Sequence, residues 1–399
     1  MKITKLQSNT CLAVGLGSFL ATSVSATPIA LPGGIDLKPS LDSALNYDDN
    51  VTNSSTDQIE SWLSTLTPTL LFEASNGVDF YTFEYSLEGG HYFSSESDNY
   101  TDHSLSGSAK WEITNNFDIE LDVSWLKDHL ERGIGFTQGI GNLADGPDKF
   151  TEGQVKTTFS YGSASNPLIF DFSLGADNTT YDRILPLPGR DQKSQFAGIS
   201  TGIQVGSRTA VVAEIDYSEI DFDFTVNGAP ASSRGLDNEQ IDYLGGIDWS
   251  SAKTDLSIRV GERHKRFINN SRENFVGPRW ILSVSWSPLT YSAISLTSQR
   301  RTDEPRGFGD FIDTTAHSVS WRHNWTTRLG TTLAHARQKS DYFGIEQVDS
   351  SHTSTASLSY NFRPWMSFQV GASHFNQTST LDRLNFERNI SFIRATVSP

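Results

Sequence analysis

Residues 117–125 read Phe-Asp-Ile-Glu-Leu-Asp-Val-Ser-Trp. In an extended chain, Phe117, Ile119, Leu121, Val123 and Trp125 fall on one face, and Asp118, Glu120, Asp122 and Ser124 on the other, because successive strand side chains point to opposite sides. A helix of the same residues would scatter both sets around its axis. The same period recurs along the chain. Leu168, Phe170, Phe172 and Leu174 alternate with Ile169, Asp171, Ser173 and Gly175. Trp280, Leu282, Val284 and Trp286 alternate with Arg279, Ile281, Ser283 and Ser285, and Ala356, Leu358, Tyr360 and Phe362 with Ser357, Ser359 and Asn361. The chain therefore reads as all-β.

A soluble sandwich alternates too, so three further features decide. Very short turns (Ser75-Asn76-Gly77, Asn115-Asn116, Ser207-Arg208, Ala252-Lys253, Thr327-Arg328) take turns with long polar connections such as Gly133 to Phe150, Thr225 to Glu239 and Thr302 to Asp313. Short periplasmic turns opposite longer extracellular loops are the asymmetry of bacterial outer-membrane barrels. The alternating runs last about 12 to 15 residues, enough to cross a bilayer obliquely. Trp111, Trp125, Trp280, Trp286, Trp321, Trp325 and Trp365 fall near run ends, where aromatic girdles meet the membrane surface. Runs begin near Ile35, Ile59, Val78, Asp102, Phe117, Glu152, Leu168, Ser194, Thr209, Ile241, Thr254, Val276, Tyr291, Thr315, Leu329, His352, Trp365 and Glu387. The expectation is a transmembrane antiparallel β-barrel of about 18 strands, wide enough for a watery lumen unless a loop folds inward.

The bulk properties agree. Mean hydropathy is −0.38, and no run after the start approaches the ~18 apolar residues of a spanning helix. Lys2 and Lys5, the apolar stretch Cys11 to Ala21, and Val24-Ser25-Ala26 fit a secretory signal peptide over residues 1–26, leaving one barrel domain at 27–399. Cys11 is the single cysteine of the chain, so the exported part is expected to form neither a disulfide framework nor a thiolate metal site. Net charge is −16, or −18 without Lys2 and Lys5, which argues against nucleic acid as a partner. The expected location is the outer membrane of a Gram-negative bacterium, with outer-membrane lipid as the constant partner.

The lumen face carries the candidate chemistry, and its charges separate along the chain. Alternation turns Glu84, Glu88, Glu112, Asp118, Glu120, Asp122, Asp171, Glu214 and Asp216 inward as an acidic wall. It turns Arg259, Arg263, Lys265, Arg279, Arg301 and Arg322 inward as a basic wall. On a cylinder, chain order is angular position, so the two walls would set a transverse field that orients and filters solutes. The plainer account, that inward charges solvate the lumen and pair between neighbouring strands, explains their presence but not their separation. Tyr161, Tyr181, Tyr243, Tyr342 and Phe343 are candidate sugar platforms or, more plainly, girdle and loop-packing residues. His317, His323 and His335 point mainly to the outer face near the rims, and no nucleophile elbow or metalloprotease helix is present. No enzyme, cofactor or metal site is expected, and Asp48-Asp49-Asn50 reads as a solvated loop start rather than a calcium site.

Four segments carry a resemblance. They are Tyr47-Asp48-Asp49-Asn50-Val51, Trp62-Leu63-Ser64-Thr65-Leu66-Thr67-Pro68, His129-Leu130-Glu131-Arg132-Gly133, and the final hairpin from Arg383 through Phe386-Glu387-Arg388-Asn389. Through them the chain resembles the putative beta-barrel porin 2 family, outer-membrane barrels associated with capsule and exopolysaccharide biosynthesis. The resemblance implies a channel that exports polysaccharide, together with periplasmic components of an export complex. The alternatives are a general or substrate-specific uptake porin for small hydrophilic solutes, and a non-conducting barrel that scaffolds a secretion complex.

Overall fold

The structure, a computed structural model, describes residues 27–398 apart from 163–166, 183–190, 224, 227–228, 231–234, 270–271 and 306–308. Eighteen long strands form the wall: β1 (Ile35–Asp48), β2 (Ser61–Asn76), β3 (Asp79–Tyr92), β4 (Tyr100–Thr114), β5 (Phe117–Leu130), β6 (Asp148–Tyr161), β7 (Leu168–Asp182), β8 (Asp191–Gly206) and β9 (Thr209–Asp223). They continue as β10 (Asn238–Ser250), β11 (Thr254–Phe267), β12 (Phe275–Leu289), β13 (Ser292–Asp303), β14 (Phe311–Asn324), β15 (Leu329–Phe343), β16 (Gln347–Arg363), β17 (Met366–Ser379) and β18 (Phe386–Val397). Each pairs antiparallel with its sequence neighbours. β18 returns to β1 through eight paired positions, Leu41↔Val397 to Asp48↔Ile390. The ring is closed, so every strand has two neighbours and no unpaired edge faces lipid. Below the seam, Ile29–Leu31 folds back through Gly33 and Gly34, both at positive φ, and pairs with the start of β1.

Register sorts the side chains into two faces. Leu66, Phe83, Val123, Val155, Ile199, Ile215, Ile247, Val260, Leu333, Leu358, Val370 and Ile393 are exposed on the outer face. That apolar belt is stable only against hydrocarbon, since a water-soluble barrel would not leave Ile393 61% and Val260 56% exposed. Trp62, Trp125, Trp286, Trp325 and Trp365 flank the belt, all exposed, whereas Trp280 sits well inside β12 and donates its indole N–H to Ser298 Oγ at 3.0 Å. Of the aromatic platform candidates, Tyr161 and Tyr243 share the outer face with the belt.

The buried apolar clusters lie at the outer end of the lumen. Val51, Leu63 and Tyr92 form one under the β1–β2 loop, with Tyr100 against it. Phe222, Leu236, Phe267 and Phe311 form the other, joined by Ile220 and Phe275. Beside this second cluster, β13 parts from β12 beyond Trp280↔Arg300 and enters the lumen. Thr302 Oγ1 reaches Gln240 Oε1 on β10 at 3.1 Å, and Glu304 receives Gln240 Nε2 at 2.8 Å.

Candidate functional site in the barrel lumen

Alternation along each strand brings the acidic set onto the inner face of β3 to β9 and the basic set onto the inner face of β11 to β14. The sets meet at β9–β11. Arg259 Nε donates to Glu214 Oε1 at 2.6 Å, and its Nη atoms hold both oxygens of Asp248 at 2.9 and 2.8 Å. Arg263 grips Asp242 through Nε at 2.6 Å and Nη2 at 2.5 Å, and Arg279 Nε adds a third bond to Asp242 at 3.2 Å. Lys265, fully buried, pairs with Glu304 beneath the rings of Phe267 and Phe311. Arg301 pairs with Asp303 at 2.6 Å, and among the described residues Arg322 has no carboxylate partner. Most of the basic wall is thus neutralised by adjacent acids. Asp242 and Asp248, which alternation along β10 also turns inward, and Glu304, carried in by β13, were not singled out from the sequence.

The acid-bearing side is less balanced. Lys110 and Lys156 are the basic residues on the inner face of β3 to β9 among the described residues, and Lys110 pairs with Asp118 at 3.0 Å.

The outer end is narrowed by the connection from 131 to 147, which turns into the lumen. Its root is fixed by an ion-pair node that gathers three of the four segments noted above. Arg388 on β18 holds Asp48 on β1 through Nε at 3.1 Å and Nη2 at 2.6 Å, and its other face holds both oxygens of Glu131. Asn53, at φ +46, donates to the Arg132 carbonyl at 2.9 Å. Arg132, itself buried, grips Asp98 and donates to Ser95 Oγ at 2.7 Å and the Ala144 carbonyl at 3.2 Å. Burial by itself raises the Glu131 carboxyl, but the Arg388 charge and its hydrogen bonds outweigh it and hold Glu131 below the usual carboxylate range.

Glycine permits the close seating of this connection. Gly133, at φ +81, and Gly141 both rest on the β1–β2 loop, where an added Cβ would lie 2.2 and 2.1 Å from the Thr52 carbonyl oxygen. The tip then reaches both sides of the barrel. Phe136 meets Tyr181 on β7 edge-on, with centroids 5.4 Å apart, while Gln138 Nε2 donates to Asp349 Oδ2 on β16 at 3.1 Å. β7 and β16 are nine strands apart in a ring of eighteen, half the circumference, so Tyr181, Phe136, Gln138 and Asp349 bridge the lumen. The sequence marks 133–150 as a long polar loop and leaves its inward fold open; the structure turns it into the lumen. His317, His323 and His335 do not join the site, since His317 and His335 bond Ser298 and Ser354 on the outer face, and the tilted rings of His323 and Trp325 lie with centroids 4.3 Å apart.

A model of the family described as putative beta-barrel porin 2 matches residues 33–398. No curated protein matches the chain. Among solved structures, the chain is similar to Pseudomonas aeruginosa OccK2 (OpdF) in complex with glucuronate, with TM-score 0.50 and 10% identity, over 91% of this chain and 98% of that one. It is also similar to the siderophore receptor PirA from Acinetobacter baumannii, with TM-score 0.50 and 7% identity, over 91% of this chain and 80% of that one. At such identities the likeness is one of fold.

Proposed function

Because the chain belongs to the putative beta-barrel porin 2 family of outer-membrane β-barrels, we propose that it is a passive uptake porin for small hydrophilic solutes. The observation that carries this reading is the bridge from Tyr181 through Phe136 and Gln138 to Asp349. A lumen spanned by its own loop leaves separate narrow paths on either side, suited to single small molecules rather than to a continuous polymer. The acidic lining of β3 to β9 favours neutral and cationic solutes over anions, because low-dielectric walls focus its field along the path. The likeness to OccK2, whose crystals hold glucuronate, supports the size class of the solute rather than its charge. Polysaccharide export, and the periplasmic partners it would need, has less support, since it requires the bridge to swing out.

The test is single-channel conductance of the refolded barrel in a planar bilayer, paired with solute-driven swelling of proteoliposomes. Small open steps with cation preference, and swelling with pentoses and hexoses but not with oligosaccharides, are expected. Blockade by exopolysaccharide would restore the export reading, and a silent, heat-modifiable barrel would restore the scaffold.

A further inference from the structure

The outer face of β13 to β16 carries basic side chains at a height where the neighbouring β12 stays apolar. On β12 the outward positions from Val276 through Pro278, Trp280, Leu282 and Val284 to Trp286 are apolar. On β14, β15 and β16 the belt ends lower, at Val319, Leu333 and Ala356. Directly above come His317, Arg337 and His352, which are cross-strand partners in one row, His317↔Arg337↔His352. His335 lies one step below, its ring 6.0 Å from that of His352, and Lys339 one step above. The Nδ1 atoms of His317 and His335 each meet a serine Oγ at 2.9 Å, which leaves Nε2 directed to an outside partner.

Charges within this patch are not balanced. Lys339 pairs with Asp341 at 2.8 Å and Arg300 with Asp313 at 2.5 Å. Arg337 is exposed and has no carboxylate partner among the described residues. On β9 and β10 the row above the belt is acidic or paired: Glu219 faces Glu239, and Glu239 holds Arg266 at 3.0 Å. An unpaired guanidinium on a lipid-facing wall, ringed by imidazoles at the upper edge of the apolar belt, lies where the anionic headgroups of the outer leaflet meet the protein.

We propose that His317, Arg337, His352 and Lys339 form a binding site for a phosphate-bearing lipid headgroup of the outer leaflet. The planar guanidinium of Arg337 takes two phosphate oxygens in a bidentate bond, which an ammonium cannot do. The flanking imidazoles donate to the remaining oxygens, and Lys339 shares its charge between Asp341 and the phosphate. The acyl chains run down the apolar belt over Leu333 and Val319, so one molecule satisfies both the charged row and the surface beneath it.

The experiment measures binding of bis-phosphorylated lipid A to the detergent-purified full barrel by native mass spectrometry. A phosphate-free glycolipid with the same acyl chains, and inorganic phosphate as competitor, form the other arms. Arg337→Ala is expected to weaken bis-phosphorylated lipid A binding about tenfold. Arg337→Lys should lose less, and Lys127→Ala, outward on β5 and eight strands away, should lose nothing. Heat-modifiable migration verifies that each variant is a folded barrel. Equal binding of the phosphate-free lipid, or an unchanged Arg337→Ala, would overturn the site. Full displacement by millimolar inorganic phosphate would overturn its assignment to a lipid.

Discussion

Replacing Arg388 with alanine tests whether the lumen loop is held by the node at its root. The guanidinium makes bonds to Asp48 through Nε and Nη2 and to both oxygens of Glu131. Asp48 is 1% exposed and the Glu131 side chain 19%, so removing the cation strands two carboxylates away from bulk water. Breaking a buried ion pair from one side costs about 3–5 kcal/mol. The seam between β1 and β18 keeps its eight paired positions, so the cost falls on the seating of residues 131–147 rather than on ring closure. A loss of about 3 kcal/mol multiplies the unseated population by roughly two orders of magnitude. In a planar bilayer, Arg388→Ala should therefore show larger and noisier open steps than the wild type, with the barrel still heat-modifiable. Glu131→Gln removes one of the competing charges and leaves the Arg388–Asp48 pair, so its effect should be distinctly smaller. Conductance of Arg388→Ala indistinguishable from wild type would refute the idea that this node seats the loop.

Other outcomes follow from the same geometry. Gly141→Ala drives a methyl into the Thr52 carbonyl oxygen, 2.1 Å away, and should expose residues 131–147 to limited proteolysis of the folded barrel. Because Glu131 is held below its ordinary pKa, its contribution to seating is fully present above the unfolded carboxylate value of about 4.3 and is lost as pH falls through the folded value. Channel noise should then be flat from neutral pH down to that range and rise below it, and Glu131→Gln should abolish the rise. Neutralising Glu84 and Glu112 together by glutamine should shift the reversal potential in a salt gradient toward zero, more at low than at high ionic strength, since screening shortens the reach of the acidic wall. Gln138→Ala cuts the tip from Asp349 but leaves the root, so an increase in step size smaller than that of Arg388→Ala is expected in the same bilayer recording.

The barrel was legible in sequence to an uneven depth, and the unevenness has a cause. Strand starts that follow short turns are placed within one residue: Phe117, Thr209, Thr254 and Leu329 begin β5, β9, β11 and β15, and Val78, Tyr291 and Trp365 each precede a strand by one. A tight turn between two alternating runs leaves little freedom. At the loop end the placement drifted, with Glu152 for Asp148 and His352 for Gln347. There the strands rise above the membrane, both faces turn polar, and the ladder continues without a periodic signal to mark it. The site divides in the same way. Alternation could assign Asp118 or Arg263 to a face, because a face is a local property. That Asp48, Glu131 and Arg388 converge is a consequence of ring closure and of a loop turning inward, and neither leaves a trace in any window of sequence.

Asp48 and Arg388 stand 340 residues apart in the chain, and they touch only because the first and last strands are neighbours. Until β18 has docked on β1, Glu131 lacks the Arg388 cation and the root is held only by Asn53 and by the Arg132–Asp98 pair. The narrowing is therefore fully secured only when the ring is complete, and a barrel caught half-assembled holds residues 131–147 with the Arg388 bonds missing. Assembly and restriction are, in this molecule, coupled through one guanidinium.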